Sequence, residues 1–287
     1  MAYKASPRPT YSEPTLLRYH AVTRYLWGDE EAGEVADWIY VSTDKIHHLV
    51  WGLPPGGAFR HSSEFRTIFG ADVIYYVLSG VMIIANPETG EVHRVRAGEA
   101  AFFRKDTWHH ALNYGREPLR VLEYFSPPPS QGTSGVYART KPLLTEVKYC
   151  IDSALGRWPM DQKEIQRDFT IHVIGEDDRL WLLEGAKGKE VAIGLLVSTQ
   201  HLTVGQIELL PGQRSDVISD SGDKSLHLIS GELNIFCPAI EEGQRWFELK
   251  PQDGFYLPAG TPHQLHNIGD TPVTVMFGVA PNYKSGP

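Results

Sequence analysis

Gly98–Asn113, GEAAFFRKDTWHHALN, returns in sparser form as Gln252–Asn267, QDGFYLPAGTPHQLHN, and this repetition limits the fold more than any other feature of the chain. Each copy holds a short apolar strand, a polar turn, and a second strand with a histidine followed four positions later by an asparagine: His109 with Asn113, His263 with Asn267. Other matches fall in the same order. Val35-Ala36 and Val191-Ala192, Val41-Ser42-Thr43 and Val197-Ser198-Thr199, and Pro55-Gly56 and Pro211-Gly212 each stand 156 positions apart. Leu78-Ser79-Gly80 and Ile229-Ser230-Gly231 stand 151 apart, and the two histidines 154. Single short matches arise by chance, but an ordered series whose spacing drifts only as loop lengths do marks a duplication.

Each unit reads as a run of short strands. VADWIYVS, IHHLVWGL, VIYYVLSGVMIIA, EVHRV, EAAFF and LRVLEYF are rich in β-branched and aromatic residues, and PPGG and NPETG supply turns between them. No segment of the first half holds a long helical period. Residues 127–165 break the pattern with the proline-led PPPSQGTSG, and Lys163–Phe169 suits a helix. The expected organisation is an N-terminal arm over 1–16, a first domain over 17–127, a linker over 128–165 and a second domain over 166–287. Arms of this kind often lie across a neighbouring subunit.

A formal charge of -8 without a basic cluster argues against a nucleic-acid partner. No apolar stretch approaches the length of a membrane span. MAYKASPRPTYSEPT has no apolar core of a secretory signal, and Cys150 and Cys237 make no C-x-x-C, so the expected setting is the reducing cytoplasm.

The repeated unit resembles the cupin superfamily, and the whole chain resembles a bicupin. The family's second motif, G-x5-P-x-G-x2-H-x3-N, is met by Gly98, His109 and Asn113, with Arg104 and Asp106 at the proline and glycine positions. In the second half Pro258, Gly260, His263 and Asn267 fit, and Gln252 replaces the first glycine. The resemblance implies an all-β fold of two tandem double-stranded β-helix barrels, jelly-roll-like and open at one end, and a homodimer. The family's first motif, G-x5-H-x-H-x3,4-E-x6-G, supplies its other metal ligands, and here the chain departs. In the first half His61 stands alone, with Ser63 where its partner belongs, and a register shifted by one residue offers Glu64 instead. A one-residue slip turns every side chain to the other face, so the two registers exclude each other unless the chain bends. In the second half there is no H-x-H, and Lys224 stands at the glutamate position.

A divalent metal such as Fe, Mn, Ni or Zn needs about three protein ligands. The first half offers His61 and His109, with Glu64, His47 or His48 as a third. Adjacent histidines on a strand face opposite ways, so one of His47 and His48 points inward. The motif favours His109 over His110 as the inward member of that pair. Tyr75, Phe103 and Trp108 are candidates for an apolar wall against an aromatic ligand, and Arg60 and Arg104 for pairing a substrate carboxylate. Asn113 holds a strand end. Asp216, Asp220 and Asp223 read as solvated loop residues.

Two functions follow. In one, the first barrel is a metal-dependent enzyme of dioxygenase or lyase type. It acts on a small carboxylated or aromatic compound, with His109, Tyr75 and Arg104 catalytic and Arg60, Phe103 and Trp108 binding substrate. In the other, the bicupin holds no metal and either binds a small ligand or performs acid–base isomerase or lyase chemistry. Loss of the H-x-H pair in both halves favours the second, and retention of the motif histidine in both halves favours the first.

Overall fold

The structure, a computed structural model, describes residues 5–60, 67–130 and 132–284. His61 and Glu64 lie outside the described residues. The repeat folds as two antiparallel barrels, each a large sheet facing a small one. In the first, the seven-stranded sheet runs Ile171–Ile174, Ala100–Phe103, Asp72–Ser79, Leu119–Ser126, His47–Leu53, Gly33–Ser42 and Thr23–Asp29 in spatial order. Its small sheet runs Ala58–Phe59, His110–Asn113, Val81–Ala85 and Val92–Arg96. The second barrel repeats the large sheet position for position: Thr15–Leu17, Gly254–Leu257, Asp223–Ser230, Val273–Ala280, Thr203–Leu209, Val191–Ser198 and Leu180–Glu184. Trp246–Leu249, Leu233–Phe236 and Gln264–His266 face it. The linker carries the helices Gly135–Ala138 and Gln162–Arg167, the latter over most of the segment expected to be helical.

Sheet membership crosses both expected domain boundaries. Thr15–Leu17, most of it in the N-terminal arm, pairs with Gly254–Leu257 of the second barrel. Ile171–Ile174, from the second half, pairs with Ala100–Phe103 of the first. Each half therefore closes the outer edge of the other half's sheet, which would otherwise expose unpaired N–H and C=O groups. The arm lies across its own chain: the Ser6 amide donates to the Gly132 carbonyl at 2.8 Å, and the Ser42 amide to the Pro9 carbonyl at 2.8 Å.

Strand alternation separates two cores. Leu49, Glu123, Tyr75 and Ala101 stand directly opposite one another across four strands, and the next inward row is His47, Phe125, Val73 and Phe103. These rows face the interior of the first barrel. The intervening Val50, Leu122, Tyr76 and Ala100 pack against Leu196, Val204, Tyr256 and Met276 of the second half. The two large sheets thus lie back to back, and His47–Leu53 is buried at every position. The seam is keyed by two tyrosines resting on glycines. A Cβ on Gly254 would stand 2.8 Å from the Tyr40 ring, and one on Gly278 2.6 Å from the Tyr124 ring, so neither site admits a side chain. Each hydroxyl donates across the seam, Tyr40 to the Gln252 carbonyl at 2.6 Å and Tyr124 to the Ser225 carbonyl at 3.2 Å.

Candidate functional site

The first barrel encloses a cavity of about 90 Å³, several times the ~15 Å³ that one water needs. Its walls are mostly apolar, with Leu49, Trp51, Phe59, Phe69 and Phe125 among them. Ser6–Arg8 of the arm and Pro129, Gly132, Thr133 and Ser134 of the linker cover one end. Among the polar groups that line it are Asp37, His47, Tyr75, His109 and Glu123.

His109 is fully buried. Its Nδ1 faces the Thr107 carbonyl at 3.2 Å, so the ring proton belongs on Nδ1, and Nε2 presents a lone pair to the Tyr75 hydroxyl at 3.0 Å. Burial holds the imidazole down to about 4 and pushes the Tyr75 phenol well up, which keeps the tyrosine a donor and the histidine an acceptor. Phe103 braces the ring, with centroids 4.4 Å apart. His47 stacks on Phe125 at 4.3 Å, and burial and then the Arg8 guanidinium hold it down to about 3.

Asp37 and Glu123 are 7% and 5% exposed. Burial drives both well above the usual carboxylate range, and for Glu123 the neighbouring Asp37 adds to the rise. No hydrogen bond from a described residue offsets that burial. Trp51 Nε1 and Arg8 Nε are buried without a partner among the described residues. Buried polar groups are normally satisfied, so several orphans around one cavity point to a ligand or bound water. The cavity holds two carboxyl groups whose pKa burial raises and two imidazoles whose pKa burial lowers, with one guanidinium at its covered end. Arg8 is fixed there by hydrogen bonds to the Ser130 carbonyl at 2.6 Å and to the Thr43 carbonyl.

Of the residues singled out in the sequence, the structure brings His109, Tyr75, Phe103 and His47 together at the first-barrel cavity. The others described lie elsewhere. Arg104 does not line the cavity; its Nε pairs with Asp72 at 2.8 Å and it donates to Gln200 of the second half at 3.1 Å. Trp108 packs with Ile68 and Ala138 in a separate cluster beneath the linker. Arg60 is exposed, near His110. His48 faces the seam, opposite to His47, as alternation requires. Asn113 ties the strand end through the Leu53 and Glu117 carbonyls at 3.1 and 2.9 Å, and Asn267 repeats the bonds to Leu209 and Thr271 at 3.0 and 2.8 Å. Asp37, Glu123 and Arg8 carry no motif. Only the inward phase of V-x-E-x-F, shared with Val121 and Phe125, marks Glu123 in advance.

The second barrel is built differently. Lys224 is 2% exposed, and its Nζ stands 3.0 Å from Asp220 Oδ2 and 5.4 Å over the Phe277 ring. His263 Nδ1 donates to the Thr261 carbonyl at 3.0 Å, and its Nε2 is buried without a partner among the described residues. Burial and then the Lys224 ammonium hold it down to about 3. Asp220 and Asp223 are not solvated as their loop-like sequence suggests. Asp220 neutralises Lys224, and Asp223 accepts from Tyr256 at 2.7 Å and pairs with Lys45 at 3.0 Å.

Two fused antiparallel barrels, one with a mostly apolar cavity that carries a few polar groups, define a duplicated β-barrel protein. A cupin domain model matches residues 49–125 and 205–279, more than half of the chain, and the protein belongs to the cupin family. No curated protein sequence matches it. Among solved structures, a Pseudomonas aeruginosa protein described as glyoxylate-induced is 14% identical, with a TM-score of 0.67 over 100% of this chain and 98% of that one. Protein Ylba from E. coli is 10% identical, with a TM-score of 0.63 over 99% and 97%. The Lactobacillus farciminis oxalate decarboxylase, in a formate complex, is 12% identical, with a TM-score of 0.61 over 96% and 88%. At these identities the likeness is one of fold. No helix among the described residues is long and apolar enough to cross a membrane.

The described residues do not by themselves assemble a metal centre, and His61 and Glu64, expected as ligands beside His109, lie outside them. Among the described residues no three His, Cys, Asp or Glu side chains gather as a ligand set, and His109 Nε2, the ring nitrogen open to the cavity, is taken by Tyr75. In the second barrel the Lys224 ammonium stands beside Asp220 and close enough to His263 to depress it.

Proposed function

We propose that the first barrel binds a small organic acid or aromatic compound and moves protons on it, as an isomerase or lyase, with Tyr75, His109 and Glu123 as the acid–base groups. The observation that carries the reading is the cavity itself. Asp37 and Glu123 line it with burial as the main influence on their carboxyl groups, and Trp51 Nε1 lies buried there without a partner among the described residues, beside the Tyr75–His109 hydrogen bond. In the forward step Tyr75 takes a proton from the substrate as its own passes to His109 Nε2, and Glu123, its pKa raised by burial, donates a proton at a second substrate atom. Arg8 Nε meets the substrate carboxylate, and the aromatic walls exclude water.

The test is proton NMR in D₂O with phenylpyruvate, phenylacetate and pyruvate as probes. Exchange of the proton next to the carboxylate or keto carbon above the buffer rate is expected, falling about 100-fold or more in Tyr75→Phe and His109→Gln. Exchange at the buffer rate with every probe overturns the reading. So does one bound metal per chain that is lost together with activity in His109→Ala.

A further inference from the structure

A second pocket lies between the barrels rather than inside one. Its volume is about 330 Å³, within the range of small-molecule sites. Tyr19, Tyr40, Val50 and Arg120 line it from the first half, and His227 and Gln252 from the second. Val50 and Arg120 lie on the face opposite to Leu49 and Glu123, so this pocket shares strands but no lining residue with the first-barrel cavity.

His227 is 1% exposed, its Nδ1 lies 3.3 Å from His48 Nε2, and its Nε2 is buried with no partner among the described residues. Burial holds the ring down to about 3, so it is uncharged at neutral pH. An uncharged imidazole edge with a free nitrogen takes a hydroxyl or a carbonyl, according to the tautomer that His48 imposes.

The other end of the pocket is cationic. The Arg120 guanidinium stacks 3.8 Å over Trp38, and its polar contact is the Tyr19 hydroxyl at 3.5 Å. Arg24 lies over the same indole at 5.1 Å and donates to the Tyr19 carbonyl at 3.1 Å. The nearby carboxylate of Asp253 is already committed, to Arg18 at 2.7 Å and to the Tyr19 amide at 2.9 Å. Neither Arg120 nor Arg24 has a carboxylate partner among the described residues. On a chain of formal charge -8, two guanidinium groups left unpaired around one aromatic ring make a local anion site.

We propose that this seam binds a small hydroxy- or oxo-carboxylic acid. The carboxylate sits on Arg120, flanked by Arg24. The apolar body lies between Val50 and the Tyr40 ring, and the hydroxyl or keto oxygen meets His227 Nε2. The proposal does not depend on the chemistry assigned to the first barrel.

The test is isothermal titration of the full chain at low ionic strength with 4-hydroxyphenylacetate, salicylate and phenylpyruvate. At least one probe is expected to bind with a Kd weakened about tenfold or more in Arg120→Gln and in His227→Phe, and unchanged in Tyr75→Phe. Arg24→Gln, at an exposed position, is expected to weaken it severalfold without touching any core. Failure of all three probes to bind below millimolar concentration overturns the proposal. Affinity that is the same in every variant also overturns it, as does a loss confined to Tyr75→Phe, which would place the probe in the first-barrel cavity.

Discussion

The two ring nitrogens of His109 have separate partners, and each partner fixes what the other can do. With Nδ1–H committed to the Thr107 carbonyl, Nε2 is an acceptor and Tyr75 its donor. Tyr75→Phe leaves that lone pair unmet in a closed cavity, and a loss of about 1–3 kcal/mol is expected in chemical denaturation. Nitrogen NMR of the wild type should show the neutral Nδ1–H tautomer down to about pH 5, and an Nε2–H ring would contradict the assignment. Glu123 makes a prediction of opposite kind. Its pKa is raised by burial and then by Asp37, so above about pH 4.3 the folded protein keeps a proton that the unfolded chain has lost. Stability from this group therefore falls as pH rises from the ordinary carboxylate range to the raised value. Glutamine has no proton to lose. Glu123→Gln should be near neutral at about pH 4 and stabilising at pH 8, by about 1.4 kcal/mol for each unit of raised pKa. Melts that show the variant weaker than wild type at pH 8 would refute the unpaired burial. His109 was legible in the sequence because a spaced motif fixes its face. Glu123 was not, because an acid on a strand is expected outside, and only its phase with Val121 and Phe125 says otherwise.

At the scale of elements, the duplication and most strands could be read from apolar runs and turn residues, but the exchange of edge strands could not. TLL and IHVI are three and four residues long, too short to carry a period, and which edge each joins is decided by the free edge waiting in the other barrel. Strand pairing therefore runs across the composition-based boundaries at 16 and 165. The consequence is measurable. Ile171 is 1% exposed and belongs to the core of the first barrel, opposite Phe103. Ile171→Ala is expected to cost about 2–5 kcal/mol, and hydrogen exchange should show the loss of protection in Ala100–Phe103 and Asp72–Ser79. Protection lost instead along Val191–Ser198 would mean that the strand serves the barrel of its own half.

For the whole molecule, histidines that cannot easily be charged occupy every layer. His47 and His109 are inside the first barrel, His227 in the seam and His263 inside the second. Burial foremost holds them to about 3, 4, 3 and 3. In the unfolded chain each titrates near 6.5, so below that pH the unfolded state binds more protons and stability falls. Four such groups remove about 5 kcal/mol per pH unit between roughly pH 6 and 4, against a total stability of about 5–15 kcal/mol. Asp37 and Glu123 work the other way as pH falls towards 4.3, but they are outnumbered, because burial lowers His48 and His110 as well as these four. The balance is acid unfolding between about pH 4 and 5. Because the charge enters both barrels and the seam together, and because each barrel borrows a strand from the other half, the barrels should unfold in one transition. Tryptophan fluorescence and far-ultraviolet circular dichroism, followed against pH, should then superimpose. A native spectrum at pH 3.5 would show that the buried histidines accept protons without opening the fold, and two separated transitions would show that the seam does not couple the barrels.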